Sequence, residues 1–289
     1  MISPFQAFIL GSLQGITELF PISSLGHSVI LPKLLGWNIN QNAPFFLIFL
    51  VATHFATALV LFGFFFKDWL RIISGIIRSF LKREISGRDT DAKLGWLLII
   101  GTIPAGLLGL LFENYLKNLF AIPTLTAIFL IGNGLLLYGG ELLRKRKTDI
   151  KQTEEGSDMR IAKKLNWGQS IAVGSMQAIA LIPGFSRTGS SLVGGLLVGL
   201  SHEDAVRYSF LLATPIIAAA AVLKLPELAF NNYQTLAAPL LIGTISSGFF
   251  AYVSVRFLTK YFQTNNLRLF ALYCLLAGAL SSLVFLFLH

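Results

Sequence analysis

Glu18 is the one acidic residue well inside an apolar stretch of this chain, and Arg187 is the matching cation in another. An ionised side chain at mid-membrane depth costs at least ~2.5–3.5 kcal/mol, so such residues are functional by default. Hydroxyls and a histidine gather near both. Ser23, Ser24 and His27 follow Glu18, while Ser186, Thr188, Ser190 and Ser191 flank Arg187. A Ser hydroxyl becomes a nucleophile once a base takes its proton. His27 stands three residues beyond Ser24, within one helical turn, and neutral imidazole is the usual base near neutral pH. Ser24-Leu25-Gly26-His27 and Arg187-Thr188-Gly189-Ser190 each lead into an apolar helical run. The free N–H groups of a helix N-terminus bind anions, phosphate above all. Two such ends with an Arg fork between them suit a diphosphate, and phosphoryl transfer is mostly positioning and charge stabilisation. A plainer expectation stands beside this one. Glu18 and Arg187 could be an ion pair holding two segments together, with each Ser an N-cap.

The elements that would position these residues are unusual. Regions 4–37 and 168–200 are apolar overall but broken, the first at Pro21 and the second at Pro183-Gly184. Each half is about 15 residues, short of the roughly 20 that a membrane crossing needs. Half-helices that enter and leave on one side are the natural reading, because non-helical backbone at membrane depth needs partners or water. Six other segments are long and apolar enough to span: approximately 44–66, 94–113, 121–143, 206–225, 237–258 and 267–288. The expected fold is an all-α integral membrane protein of six transmembrane helices plus two re-entrant helix pairs. Composition agrees. Of 289 residues, 54% are hydrophobic and 13% charged, where soluble domains run nearer a quarter charged. Mean hydropathy is +0.70. The lone Cys274 cannot form an internal disulfide.

The two halves echo each other in order. Gly11-Ser12-Leu13-Gln14 matches Gly174-Ser175-Met176-Gln177, and Ser23, Gly26 and Ser28 match Ser186, Gly189 and Ser191. Leu50-Val51-Ala52-Thr53 echoes Leu211-Leu212-Ala213-Thr214, and Ile100-Gly101-Thr102-Ile103 echoes Ile242-Gly243-Thr244-Ile245. One re-entrant pair plus three spans per half makes the second half upside down. This predicts a single membrane domain of two inverted repeats, 1–143 and 167–289, joined by a basic cytoplasmic loop, 144–166. Such folds put their site near the midplane, where broken helices meet. Fifteen of the 23 Lys and Arg lie between Lys67 and Lys93 or between Arg144 and Lys164, which argues against nucleic acid as a partner. Both stretches read as cytoplasmic loops by the positive-inside rule, with both termini outside.

Gln14-Gly15-Ile16-Thr17-Glu18-Leu19-Phe20-Pro21-Ile22-Ser23-Ser24-Leu25-Gly26-His27 resembles the first signature of the undecaprenyl-diphosphate phosphatases, the bacitracin-resistance lipid phosphatases. Pro183-Gly184-Phe185-Ser186-Arg187-Thr188-Gly189-Ser190-Ser191 resembles the second. The likeness extends to Gly101-Thr102-Ile103-Pro104-Ala105 and Ser209-Phe210-Leu211-Leu212, and so over nearly the whole chain. It implies hydrolysis of undecaprenyl diphosphate to the monophosphate and phosphate, at a plasma-membrane site open to the outer face. It also implies a divalent cation, Mg or Ca. Carried over by position, Glu18, Ser24, His27 and Arg187 are the catalytic set, with Ser24 or His27 as nucleophile. Ser23, Ser186, Arg187, Thr188 and Ser191 would bind phosphate, and Glu18 with Gln14 the metal. Three positions depart from the family pattern. Gln14 stands where many members have Glu, Leu25 replaces a usual Thr, and Ser191 replaces a common Thr.

Membrane lipids are the remaining expected partner, and a homodimer stays open. Inverted repeats with broken helices also suit a transporter or flippase of the lipid phosphate carrier, with Glu18 and His27 as proton-coupling groups. Among other residues, His54 reads as structural or as pocket-lining. His202 reads as interfacial beside a helix start capped by Ser201, with Asp204 three residues on. Glu113 and Lys117 form an i,i+4 pair.

Overall fold

The computed structural model describes residues 2–41, 43–112, 122–144, 156–229 and 237–287. Among these, twelve α-helices and no strands occur: α1 (Pro4–Thr17), α2 (Ser24–Leu34), α3 (Pro44–Phe64), α4 (Phe66–Lys82), α5 (Thr90–Leu111), α6 (Pro123–Leu143), α7 (Ser157–Lys164), α8 (Trp167–Gln177), α9 (Arg187–Leu197), α10 (His202–Ala229), α11 (Ala237–Tyr261) and α12 (Arg268–Phe287). Six of them, α3, α5, α6, α10, α11 and α12, are long and apolar enough to cross a membrane. These are the six segments expected from hydropathy. Their outer faces carry large apolar side chains such as Leu59, Leu111 and Phe287, while the interior of the protein holds Gln14, Glu18, Thr53, Asn133 and many hydroxyls. That distribution suits a lipid-facing surface.

The two breaks fall where Pro21 and Pro183 placed them. Helix α1 is 14 residues and α2, α8 and α9 are 11 each, so they measure roughly 21 Å and 16 Å at the helical rise. Each starts on a clear local signal. Ser3 and Asn166 form capping boxes with Gln6 and Gln169, and Pro4 sits in the first turn of α1. Ser23 and Ser186 cap α2 and α9 by accepting the N–H of Gly26 and Gly189. Gly184 bridges the second break at φ +106, and a Cβ there would lie 2.6 Å from the Thr126 carbonyl oxygen. No other residue fits that turn.

The first half-helix of each pair packs on a span from the other half of the chain. Helix α1 lies along α11, with Gly11 on Gly243 and Gly15 on Ser247. Helix α8 lies along α5, with Gly174 on Gly101. The Ser170 hydroxyl donates to the Leu97 carbonyl at 2.6 Å, so α5 and α8 run parallel.

Asn133, fully buried in α6, ties the two breaks together. Its Nδ2 donates to the Pro21 carbonyl at 3.0 Å, and its Oδ1 accepts the Ser186 N–H at 3.0 Å. Replacing Asn133 by Leu leaves both backbone groups unpaired. Stability should fall by about 2–4 kcal/mol, read as a lower thermal unfolding midpoint in detergent.

The basic stretch 67–93 is not a loop. Helix α4 occupies most of it and packs antiparallel on the start of α5, where Arg78 grips Asp89 at 3.0 Å. Its apolar residues recur with helical period beneath the charges: Trp69, Ile72 and Gly75 face inward, and Leu70, Ile73 and Ile77 face out. In the second basic stretch, α7 is pinned by two clusters. Asp158 takes Arg207 at 2.6 Å and Arg71 at 3.0 Å, while Arg160 holds Asp204 and Glu203 at 2.7 Å each. Lys145, Arg146, Lys147 and Lys151, and the Glu113–Lys117 pair, lie outside the described residues.

Ser201 does cap α10, accepting the Asp204 N–H at 3.1 Å. His202 is not a loose interfacial residue. Its Nε2 meets Glu141 at 2.8 Å and its ring stacks on Phe262, because the start of α10 docks against the end of α6.

Candidate active site

Glu18 ends α1, its N–H still bonded to the Gln14 carbonyl at 2.9 Å. Its carboxylate is the hub of the site and is only 6% exposed. Oε1 accepts from the Arg187 guanidinium. Oε2 accepts from the Ser24 hydroxyl, from Gln14 Nε2 at 2.9 Å and from His54 Nε2 at 3.1 Å. The first turn of α2 thus meets the first turn of α9 across one carboxylate. The expected Glu18–Arg187 ion pair exists, and it joins the two breaks where the Ser24 hydroxyl meets the same carboxylate.

The partners of Arg187 are divided. One arm reaches Glu18, and the other donates to the Ala213 carbonyl at 3.2 Å. Ala213 belongs to the Leu211–Thr214 run of α10. Ser24 sits at the first position of α2, where the cap leaves the N–H groups of Ser24 and Leu25 at the helix mouth. The capping residue itself is strained: Ser23 has φ +70, a region that non-glycine residues rarely adopt. That turn aims the end of α2 at Glu18.

His27 is not beside Ser24. Its Nδ1 bonds the Ser23 carbonyl at 2.6 Å, and its Nε2 bonds the Tyr273 hydroxyl at 2.7 Å. The ring lies on Tyr273, with centroids 5.7 Å apart. The helical turn that joins His27 to Ser24 in sequence points the imidazole back at its own cap and outward to α12. The group on the Ser24 hydroxyl is Glu18.

The remaining hydroxyls brace the breaks. Ser23 and Ser186 are caps, as the plainer expectation had them. Thr188 donates to the Glu18 carbonyl at 3.0 Å, crossing from one break to the other. Ser191 faces α10 instead, bonding Ser209 at 2.5 Å and the Arg187 carbonyl at 2.9 Å. Sequence reasoning missed Asn133 and Tyr273 and set His54 aside. Asn133 and His54 each left a signal, a lone polar side chain in the middle of an apolar span.

The residues do not form a resident metal site. Among the described residues no group of three or more His, Cys, Asp or Glu side chains could hold an ion. Glu18 is the sole carboxylate here, and four donors already occupy its two oxygens. Gln14 turns its N–H toward Glu18, which leaves its own oxygen buried without a partner. Gln14 Oε1 is thus the free oxygen at the site, and water and phosphate oxygens would have to supply the rest of a Mg or Ca shell.

Comparison with known proteins gives the arrangement a family. The family described as bacitracin resistance protein BacA matches residues 7–280. A protein of Mycolicibacterium paratuberculosis named undecaprenyl-diphosphatase is 44% identical over 100% of this chain and 99% of its own. Proteins named undecaprenyl-diphosphatase 2 are similar as well. That of Chromobacterium violaceum is 43% identical over 96% of this chain and 97% of its own. That of Frankia alni is 38% identical, with 97% of each chain covered.

Proposed function

The chain belongs to the bacitracin resistance protein BacA family, and we propose from the site that it hydrolyses undecaprenyl diphosphate to undecaprenyl phosphate and phosphate. It is a multi-pass membrane hydrolase. The observation that carries the reading is the Ser24 hydroxyl donating to the Glu18 carboxylate while Arg187 holds that carboxylate from the opposite break. In the resting site Glu18 occupies the anion position of Arg187. When the diphosphate enters, the guanidinium turns to the terminal phosphate, and Glu18 is freed to act as a base. Ser24 Oγ then attacks the terminal phosphorus as its proton passes to Glu18 Oε2. The bond to undecaprenyl phosphate breaks, and Glu18 hands its proton to the departing phosphate oxygen. Glu18 then deprotonates a water that attacks the phosphoserine, and it returns that proton to Ser24 Oγ as phosphate leaves. The N–H groups at the mouth of α2 and the Arg187 fork stabilise the equatorial oxygens. A divalent cation, Mg or Ca, would be held by diphosphate oxygens and water beside the unpaired Gln14 oxygen and Glu18, and would neutralise charge on the phosphates.

The fold reading extends the same way. Chain halves 1–143 and 167–289 form inverted repeats, and the broken pairs α1–α2 and α8–α9 are re-entrant. Two features support this: the first half-helix of each pair, α1 and α8, packs on a span of the other half, and matched glycines stand at both contacts. Residues 67–93 and 144–166 lie on the cytoplasmic side, with both termini outside and the site open outward.

Relatives named as diphosphatases favour hydrolysis over lipid transport. The test is phosphate release from undecaprenyl diphosphate by protein in detergent, where no membrane exists to transport across. Wild-type protein should turn over many substrate equivalents. A folded protein that releases no phosphate overturns the reading.

A further inference from the structure

His54 is the one histidine on the Glu18 carboxylate, and nothing in the mechanism above uses it. It sits in α3, a 21-residue span that is otherwise apolar apart from Thr53 and Thr57. Its ring is held at both nitrogens. Nδ1 bonds the Leu50 carbonyl at 2.7 Å, and Nε2 meets Glu18 Oε2 at 3.1 Å. Both partners are acceptors, so the ring presents two N–H donors. The helix segment beneath it is fixed in turn. Ser247 of α11 donates to the Thr53 carbonyl at 2.9 Å, and α11 is the span on which α1, and therefore Glu18, is packed. His54 and Glu18 thus rest on the same support.

A terminal carboxylate rotates through a broad torsion unless donors hold it. In the resting site Arg187 fixes Oε1, while Ser24, Gln14 and His54 converge on Oε2. Once Arg187 leaves for the phosphate, Gln14 and His54 alone hold the base against Ser24. Gln14 lies on the same helix as Glu18, four residues before it, and shares any movement of that helix end. Among the described residues, His54 is the one restraint on Oε2 from outside α1 and the attacking Ser24.

We propose that His54 is a positioning residue: its Nε2–H keeps Glu18 Oε2 facing the Ser24 hydroxyl after Arg187 has moved to the substrate. The proposal rests on the hydrolytic reading above. A misplacement of about 1 Å in such a group costs roughly 100-fold in rate.

The experiment measures turnover of undecaprenyl diphosphate in detergent by wild type, His54→Ala, His54→Phe and His54→Gln, with thermal midpoints beside the rates. Phe keeps the ring volume without the donor, and Gln keeps an N–H donor at nearly the same reach. The expected kcat of the Ala and Phe variants is about 10- to 100-fold down, with KM unchanged, and Gln restores most of the rate. Wild-type kcat in the Phe variant overturns the proposal, as does a loss carried by KM. A Gln variant as slow as Phe also overturns it. Absence of phosphate release by the wild type itself would instead remove the hydrolytic reading, and this proposal with it.

Discussion

Replacing Ser24 by Ala should abolish phosphate release from undecaprenyl diphosphate, a fall of about 10³-fold or more. Four of the neighbouring hydroxyls are engaged elsewhere. Ser23 is turned into its cap, Ser186 caps α9, Thr188 is spent on the Glu18 carbonyl, and Ser191 faces α10. Of the hydroxyls at the two breaks, Ser24 alone combines a helix N-terminal position with a hydrogen bond to a carboxylate. The fold should survive the change. Ser24 lies at the first helical position, and the cap that starts α2 belongs to Ser23. Gln14 and His54 still occupy Glu18 Oε2 in the variant. The check is kcat alongside the thermal midpoint: the first should collapse and the second should barely move. His27→Phe makes the contrast. It keeps a ring but removes the nitrogens that bond Ser23 and Tyr273 and not Ser24, so a loss there would act through the cap.

Arg187 carries the second large effect, and here staple and phosphate ligand can be separated. Removal to Ala leaves Glu18 buried without its guanidinium, and breaking such a pair costs about 3–5 kcal/mol. His54 still faces the carboxylate, which places the loss at the lower end of that range. Lys is the informative substitution. It keeps the charge but has no planar fork to serve Glu18 and the Ala213 carbonyl together. Were the residue only a staple, Arg187→Lys would keep both stability and turnover. The expected result is a thermal midpoint near wild type with kcat about 10²-fold lower, because the ammonium cannot clamp two phosphate oxygens.

Much of the fold could be read from hydropathy because membrane thickness imposes a length. Apolar runs near 20 residues became α3, α5, α6, α10, α11 and α12, and the Pro21 and Pro183 breaks stood where the chain could not be helical. Helix α4 escaped because the seven basic residues of the stretch 67–93 drew attention to charge, while its apolar stripe is visible only at helical period. At the site, membership was legible and pairing was not. Buried charge and hydroxyl clusters marked Glu18, Ser24 and Arg187. One-dimensional spacing then suggested His27 as the partner of Ser24, whereas the left-handed turn at Ser23 redirects the helix so that Glu18 takes that place. Asn133 and His54 act across elements far apart in sequence, and a lone polar residue in an apolar span was their only trace. Tyr273 left none, since its contact with His27 exists only after α2 and α12 meet.

The central claim is that phosphate passes through Ser24. The direct measurement uses undecaprenyl diphosphate labelled in its terminal phosphate, mixed with the protein in detergent and quenched during turnover in both acid and alkali. Phosphoserine survives acid and phosphohistidine survives alkali, so the two quenches distinguish the candidates. The account predicts acid-stable label on the peptide containing Ser24, absent from Ser24→Ala. Alkali-stable label on His27, or undiminished phosphate release by Ser24→Ala, would contradict it.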